Sequence, residues 1–131
     1  MIRVLRSGGR APLAAAVGAV AGVALVVRWR PRRVVVEGRS MLPTLQPGDR
    51  LVVVRHRQPR PGDVVAVRDP RRPSRLLVKR AVAVAAGRFD VRGDDPAQST
   101  DSRVFGPVGP DGLVGIVVRR YGPASRAGRV R

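Results

Sequence analysis

Residues 47–67 read PGDRLVVVRHRQPRPGDVVAV and contain two similar transitions. At Pro47–Asp49 and again at Pro61–Asp63, a Pro-Gly-Asp triplet precedes a short run rich in valine. Pro, Gly and Asp are typical of tight turns, whereas β-branched valine is enriched in strands. The stretch therefore predicts two strands that each follow a turn, which places the chain in the mainly β class.

Short apolar runs continue this pattern on both sides, from Pro31 to Tyr121. They predict strands at Val34–Glu37, Arg50–Val54, Asp63–Val67, Leu76–Val84, Arg88–Arg92 and Leu113–Arg119. The segment Asp69–Ser74 contains two prolines and two arginines and is predicted to be an exposed connection. From Gly122 onward, small and basic residues alternate, which favours a loose tail.

The N-terminal part of the chain carries a different signal. Ala11–Val27 contains 17 uncharged residues with arginines on both sides, long enough for a helix of roughly 26 Å against a hydrocarbon core near 30 Å. An uncleaved single membrane anchor is preferred over a cleaved signal peptide, because arginines and Pro31 directly follow the apolar run. Arginines on both flanks leave the orientation of the anchor open.

Length and these patterns predict three segments. Residues 1–33 form a basic segment with the anchor helix, residues 34–121 form one small β domain, and residues 122–131 form a flexible basic tail. A chain of 131 residues has room for one modest core. The absence of cysteine from the sequence excludes disulfides and thiol nucleophiles.

The net charge of +17 raises the alternative of a noncatalytic basic β module that binds nucleic acid or anionic lipid. The basic residues are spread along the whole chain, and aromatic residues make up only 3% of it. Both features disfavour nucleic-acid binding, which needs a basic stripe and rings for base stacking. No specific nucleic-acid partner is expected.

Lys79 is the only lysine among the 26 basic side chains. Strand alternation over residues 76–83, LLVKRAVA, places Lys79 on one face with Leu77, Ala81 and Ala83. An apolar face favours the neutral amine, which a general base requires and which arginine cannot supply. The alternative is an edge-strand lysine that prevents aggregation.

Ser40 lies between a predicted strand and a turn that contains Pro43. A serine on such a turn can project toward a substrate while nearby backbone N–H groups face a developing oxyanion. The alternative is that Ser40 only caps a helical turn.

A polar loop follows at Gly93–Arg103. Its hydroxyl groups can orient an amine, and Asp101 with Arg103 can form a local ion pair. Taken alone, the loop is typical of a turn-rich connection.

Several blocks in one order resemble the sequence boxes of type I signal peptidases: Ser40–Thr44, Gly48–Asp49, Arg60–Val65, Val78–Arg80, Gly93–Asp94 and Ser99–Arg103. The resemblance covers Val34 to Tyr121, and ordered blocks are far more specific than one motif. It implies that Ser40 is the nucleophile, Lys79 the general base and Ser99 the hydroxyl that orients the lysine. It also implies a structural ion pair between Asp101 and Arg103, and an oxyanion donor in the Ser40 N–H.

Two positions depart from the family pattern. Gly38 stands where some members carry a serine as an additional oxyanion donor, and Asp95 stands where the family box ends in asparagine. Few residues separate Arg80 from Gly93, so the inserted second domain of many bacterial members is missing. This shortness resembles the mitochondrial inner-membrane peptidases and the actinobacterial maturation proteases of nickel-type superoxide dismutase, with the second the closer resemblance.

The resulting hypothesis is a membrane-bound serine endopeptidase that removes leader segments or propeptides from precursor proteins with a Ser-Lys dyad, and that matures a nickel-type superoxide dismutase. It predicts a precursor protein as partner, no cofactor and no metal. A general signal peptidase for exported proteins is the alternative substrate assignment. A self-cleaving repressor-type protease is disfavoured, because no helical DNA-binding region precedes the site.

Overall fold

The computed structural model describes residues 1–5 and 30–131, and within them most regular structure is strand. Seven strands are described: β1 (Ile2–Val4), β2 (Arg32–Val36), β3 (Arg50–Val54), β4 (Val64–Asp69), β5 (Arg72–Ala85), β6 (Arg88–Arg92) and β7 (Leu113–Gly122). The helix α1 spans Ser102–Phe105, and 3-10 turns lie at Pro96–Gln98, Pro110–Gly112 and Ala124–Arg126. The prediction of a mainly β fold is confirmed.

The strands form one antiparallel sheet that closes on itself. Their order is β1-β2-β3-β7-β4-β5-β6, and β1 also pairs with β5 through Ile2 and Leu76. β6 pairs with the C-terminal half of β5 and lies outside the closed ring. Because β5 is 14 residues long, it contributes both to the ring and to the hairpin with β6.

Two apolar clusters cover opposite faces of β4. Val64 and Ala66 belong to one cluster, while Val65 and Val67 belong to the other. Adjacent strand residues point to opposite faces, so all four are buried. β5 divides in the same way, with Leu76 and Val78 in the first cluster and Leu77 and Ala81 in the second.

The β4–β5 connection is tighter than the sequence predicts. Residues 70–74 are exposed, as expected, but the connection between the strands is shorter than Asp69–Ser74, because β4 extends to Asp69 and β5 begins at Arg72. The Asp69 carboxylate, 1% exposed, accepts a hydrogen bond of 2.9 Å from the Arg71 N–H and two more from its guanidinium group. These bonds close the hairpin within two residues.

The C-terminal segment, expected to be loose, makes specific contacts with the sheet. The carboxylate of Asp49 is fully buried and forms ion pairs with Arg120 at 3.2 Å and with Arg126 at 3.1 Å. Arg126, in the tail, also donates a 3.5 Å hydrogen bond to the carbonyl of Thr44. The tail therefore helps to fix the turn that follows Ser40.

The predicted anchor helix at Ala11–Val27 lies outside the described residues. Within residues 1–5 and 30–131, none of the helices has the length and apolar character needed to cross a bilayer.

Candidate active site

Lys79 occupies the middle of β5, opposite Val65 of β4. Lys79 is 3% exposed and lies on the same side of the strand as the buried Leu77 and Ala81, as the alternation predicts. Ala83, predicted on the same face, is exposed, and a register shift separates it from Ala81. The Nζ atom donates a hydrogen bond of 3.0 Å to Ser99 Oγ. The lysine is thus an interior group with a fixed polar partner, which excludes the alternative of an exposed edge-strand lysine.

Ser99 is held by a network that determines the direction of its hydrogen bonds. Its hydroxyl donates to Asp101 Oδ2 at 2.7 Å and accepts from the Gly93 N–H at 3.1 Å. Since a hydroxyl has one proton, and Asp101 accepts it, Ser99 Oγ can only accept from Lys79. When Lys79 is neutral, one of its N–H groups therefore donates to Ser99, so the nitrogen lone pair is not directed at Ser99.

Asp101 fixes the position of Ser99 in this network. It accepts hydrogen bonds of 2.9 and 2.8 Å from the Arg103 guanidinium group, and a third of 3.0 Å from the Gly93 N–H. The same carboxylate caps the N-terminus of α1 by accepting from the Arg103 N–H. The structure therefore brings Lys79, Ser99, Asp101 and Arg103 into one connected group.

The electrostatic environment favours the neutral form of Lys79. Burial lowers its pKa from 10.5 to about 8, and the nearby charge of Asp101 opposes this fall. The guanidinium groups of Arg75, Arg103 and Arg71 add to the lowering. Burial alone would raise the pKa of Asp101, but its hydrogen bonds from Arg103, Ser99 and Gly93 bring it well below the usual range. Asp101 is therefore ionised at neutral pH.

Ser40 lies in the turns that follow β2 and is 7% exposed. Hydrogen-bonded turns occupy residues 40–44, and the Leu45 N–H donates to the Met41 carbonyl at 2.9 Å. The neighbouring Met41 and Leu45 are buried and hold the turn against the core. The Ser40 carbonyl accepts a 2.9 Å hydrogen bond from the Asp95 N–H, which joins the turn to the polar loop.

Gly93 shows how near Ser40 comes to the lysine network. A Cβ atom placed on Gly93 would lie 2.5 Å from both the Ser40 carbonyl oxygen and Ser99 Cβ, too close for any side chain. The Ser40 turn and Ser99 thus pack on the same glycine. In the described part of the chain, the lysine hydrogen bond goes to Ser99 and not to Ser40 Oγ.

Comparison with known proteins identifies the family. The family model described as signal peptidase, peptidase S26, matches residues 10–91, more than half of the chain. The chain belongs to the signal peptidase family, peptidase S26. It is accordingly a serine endopeptidase of the signal peptidase type, and the alternative of a noncatalytic module is wrong.

Curated relatives of this S26 peptidase are similar over most of its length. The mitochondrial inner membrane protease subunit 2 of Schizosaccharomyces pombe is 34% identical, with 72% of this chain and 67% of the relative covered. The mitochondrial ATP-independent inner membrane protease subunit 1b of Arabidopsis thaliana is 33% identical, with 66% and 67% covered. The mouse mitochondrial inner membrane protease subunit 2 is 32% identical, with 56% and 57% covered.

A second ion pair supports the site of the S26 peptidase, and sequence reasoning assigned it no role. The Arg80 guanidinium group donates hydrogen bonds of 2.8 and 2.7 Å to Asp94, and Thr44 Oγ1 donates one of 2.6 Å to the same carboxylate. This cluster ties β5, the polar loop and the Ser40 turn together. Strand alternation places Arg80 on the face opposite Lys79 but does not indicate its partner.

The structure also shows the surroundings of Asp95 and Gly38, the two residues that depart from the family pattern. Asp95 Oδ1 accepts a 3.2 Å hydrogen bond from the Ala97 N–H and so caps the 3-10 turn at Pro96–Gln98. At Gly38, an added Cβ would lie 3.0 Å from the Met1 nitrogen. Across residues 1–5 and 30–131, no group of three His, Asp or Glu side chains is arranged to hold a metal ion.

Proposed function

We propose that Ser40 is the nucleophile, that Lys79 is the general base, and that Ser99 positions the lysine amine, with the Asp101–Arg103 ion pair fixing Ser99. The observation that supports this assignment most directly is the hydrogen bond between the buried Lys79 amine and Ser99, beside the turn that carries Ser40. A lysine with a pKa near 8 supplies a usable fraction of neutral amine at neutral pH.

The reaction is acyl transfer in two steps. Neutral Lys79 takes the Ser40 hydroxyl proton as Ser40 Oγ attacks the peptide carbonyl, and the resulting ammonium gives that proton to the departing amine. A water molecule, deprotonated by the same lysine, then attacks the ester and releases the leader as a free acid. Ser40 is regenerated with its proton.

Oxyanion stabilisation falls to the backbone. The N–H of Ser40 is the proposed donor, and Gly38 supplies no side chain for a second one. Preorganised donors of this kind contribute on the order of 3 kcal/mol each to transition-state stabilisation. The hydrogen bond from Asp95 N–H to the Ser40 carbonyl and the buried Met41 side chain hold the turn in position for this role.

The proposed substrates are precursor proteins from which a leader or propeptide is removed. The relatives' names place those proteins at the mitochondrial inner membrane, and for this chain we propose single-pass membrane association through Ala11–Val27. The catalytic domain is proposed as residues 34–121, preceded by the basic anchor segment 1–33 and followed by the basic tail 122–131.

The more specific proposal is maturation of a nickel-type superoxide dismutase. It is supported by the shortness of the chain and by the runs RDPR at residues 68–71 and STDSRVFGP at residues 99–107, which resemble that branch of the family. A general signal peptidase for exported proteins is the second candidate. The two differ in which precursor is cut.

The deciding experiment is mass spectrometry of candidate precursors after incubation with the parent protein, Ser40→Ala and Lys79→Arg. Both variants should abolish cleavage, because arginine keeps its proton and alanine has no nucleophile. Ser125→Ala, which changes an exposed serine outside the cleft beside β1, is the matched control and should cleave at the parental rate. Full activity of purified Lys79→Arg would refute the dyad. The cut position and the preferred precursor separate the two substrate assignments.

A further inference from the structure

One end of the closed sheet carries a group of arginines. The strands β2, β3, β7 and β4 are neighbours in the sheet, and each runs antiparallel to the next. The start of β2, the end of β3, the start of β7 and the end of β4 therefore lie side by side. Ser40 follows the other end of β2, so this group lies away from the proposed nucleophile.

The core-facing positions of three of these strands end in arginine. Their inner positions are filled by residues of the first apolar cluster, which are Val34 and Val36 on β2, Leu51 and Val53 on β3, and Val64 and Ala66 on β4. The next positions in these alternations are Arg32, Arg55 and Arg68. The three arginines are therefore directed to the same end of the sheet, where the apolar cluster ends.

These arginines line one cavity. A space of about 210 Å³, here called the arginine pocket, is lined by Arg30, Arg32, Arg55, Arg68, Asp111 and the buried Val114 of β7. Its volume equals the share of liquid water that about seven molecules occupy. A phosphate group, with one phosphorus atom and four oxygens, fits within it.

The arginine pocket has an excess of positive charge. Its four guanidinium groups and the Asp111 carboxylate sum to a formal charge of +3. Within residues 1–5 and 30–131, none of the four arginines belongs to an ion pair. Like charges around one small space repel one another, so an anion that binds between them relieves this repulsion.

Backbone carbonyls hold two of these side chains in place. Arg55 donates to the Leu113 carbonyl at 3.3 Å and to the Pro110 carbonyl at 3.2 Å. Arg68 donates to the Pro73 carbonyl at 3.4 Å. A guanidinium group has five N–H donors in a planar fork that suits phosphate oxygens. In the described part of the chain, these bonds use two donors of Arg55 and one of Arg68, so both residues keep donors for an anion.

The position of the arginine pocket along the chain indicates where the phosphate comes from. The predicted anchor ends at Val27, three residues before Arg30, and three residues span at most about 11 Å. Arg30 and Arg32 therefore lie close to the end of the anchor, and insertion of the anchor brings the pocket to the headgroup layer of the bilayer. Clusters of arginines beside a membrane span are typical binding sites for anionic lipid headgroups.

We propose that the arginine pocket binds the phosphate group of an anionic phospholipid and thereby holds the catalytic domain against the membrane beside its anchor. The choice of a lipid over free phosphate rests on the proposed anchoring, whereas the affinity for phosphate rests on the pocket alone. Lys79 lies opposite Val65, three positions before Arg68 and on the other face of β4. Lipid binding therefore orients the domain and leaves the chemistry of cleavage unchanged.

The test measures lipid retention by the full chain in uncharged detergent micelles, with native mass spectrometry as the readout. Dioleoylphosphatidylglycerol is the anionic probe, and dioleoylphosphatidylcholine is the zwitterionic control. The parent chain should retain one phosphatidylglycerol per molecule in a saturable manner. Arg32→Gln/Arg68→Gln should weaken this binding about tenfold or more, because two charge-assisted contacts are lost. Arg119→Gln/Arg129→Gln removes the same charge from exposed positions outside the pocket and should leave binding unchanged.

A variant with the opposite effect separates lipid binding from loss of folding. Asp111→Asn removes the carboxylate that lines the pocket and should tighten phosphatidylglycerol binding about threefold. Equal weakening by the two double variants would show a general attraction between charges and would overturn the pocket. An unchanged affinity in Arg32→Gln/Arg68→Gln, or equal retention of the two lipids by the parent chain, would also overturn the proposal.

Inorganic phosphate at constant ionic strength distinguishes the two sources of phosphate. If inorganic phosphate occupies the pocket and phosphatidylglycerol does not, free phosphate is the ligand and the lipid assignment is wrong. Binding is measured without substrate, so a failure to cleave precursors would overturn the proposed function and leave the lipid result standing. Cleavage of a soluble peptide should proceed at the same rate in the parent chain and in Arg32→Gln/Arg68→Gln.

Discussion

The pH dependence of acylation follows directly from the burial of Lys79. With a pKa of about 8, the amine is half neutral at pH 8, about one tenth neutral at pH 7 and about one hundredth neutral at pH 6. An exposed lysine with a pKa of 10.5 would be neutral roughly 300-fold less often at pH 7. The acylation rate should therefore fall about tenfold for each pH unit below 8 and level off above it.

A charge substitution tests whether this fall in the acylation rate at acid pH, the acid limb of the profile, arises from Lys79. The exposed Arg75 contributes to the low pKa of the lysine through repulsion, so Arg75→Gln should raise that pKa and move the acid limb to higher pH. Arg119→Gln, an exposed charge on β7 that has no such effect on Lys79, is the matched control. It should leave the limb in place.

The assay is single-turnover cleavage of a fluorogenic extended peptide, with the enzyme in saturating excess over the peptide. The rate is followed from pH 5.5 to 9.5. Saturation removes any effect of Arg75 on substrate binding, since this residue also lines the cleft beside β1. A rate that stays flat between pH 6 and 9 would refute a lysine base. If Arg75→Gln and Arg119→Gln shifted the acid limb equally, the limb would reflect the titration of a group other than Lys79.

Three further predictions concern stability and positioning. Ser99→Ala should lower kcat by about 10- to 100-fold with KM little changed, because the Lys79 amine loses its only side-chain hydrogen bond among the described residues. Steady-state kinetics would measure both constants, and a proportional rise in KM would contradict a positioning role. Gly93→Ala should reduce the free energy of unfolding by about 1–3 kcal/mol in urea, whereas Gly109→Ala, whose added Cβ would be 3.5 Å from the nearest atom, should have little effect. Lys79→Met should be inactive yet gain about 3 kcal/mol of stability at pH 7, since the parent chain must deprotonate or bury a charge on folding. The sign follows from linkage: the folded state binds the lysine proton more weakly, so this penalty is full below pH 8 and disappears as pH rises toward 10.5.

Much of the sheet could be predicted from local pattern. Arg50–Val54 and Arg88–Arg92 match the expected strands at both ends, because the first is an apolar run after a turn triplet and the second alternates apolar with charged residues. The hairpin at Asp69 was not predictable in the same way. Its closure depends on how the Asp69 carboxylate bonds to Arg71, and composition rich in Pro and Arg is read as an exposed connection.

The candidate site shows a similar division. The alternation around Lys79 correctly predicted an apolar setting, since a strand fixes the facing of each side chain locally. The ion pair between Arg80 and Asp94 was not predicted, because the two residues lie 14 positions apart in the chain. The fold joins them through two hydrogen bonds. Likewise, no local signal predicts β1, because three residues cannot display an alternation and its partners begin about thirty residues later.

Valine runs, turn triplets and one lysine in an apolar alternation were enough to establish a mainly β protein with a candidate base and nucleophile, because facing and turn formation depend on neighbours in the chain. The meeting of Lys79 with Ser99, the packing of Ser40 against Gly93 and the pairing of β1 with β2 and β5 depend on contacts between distant segments. Only the closed sheet brings those segments together, because its strand order, and not the order of the sequence, decides which edges become neighbours.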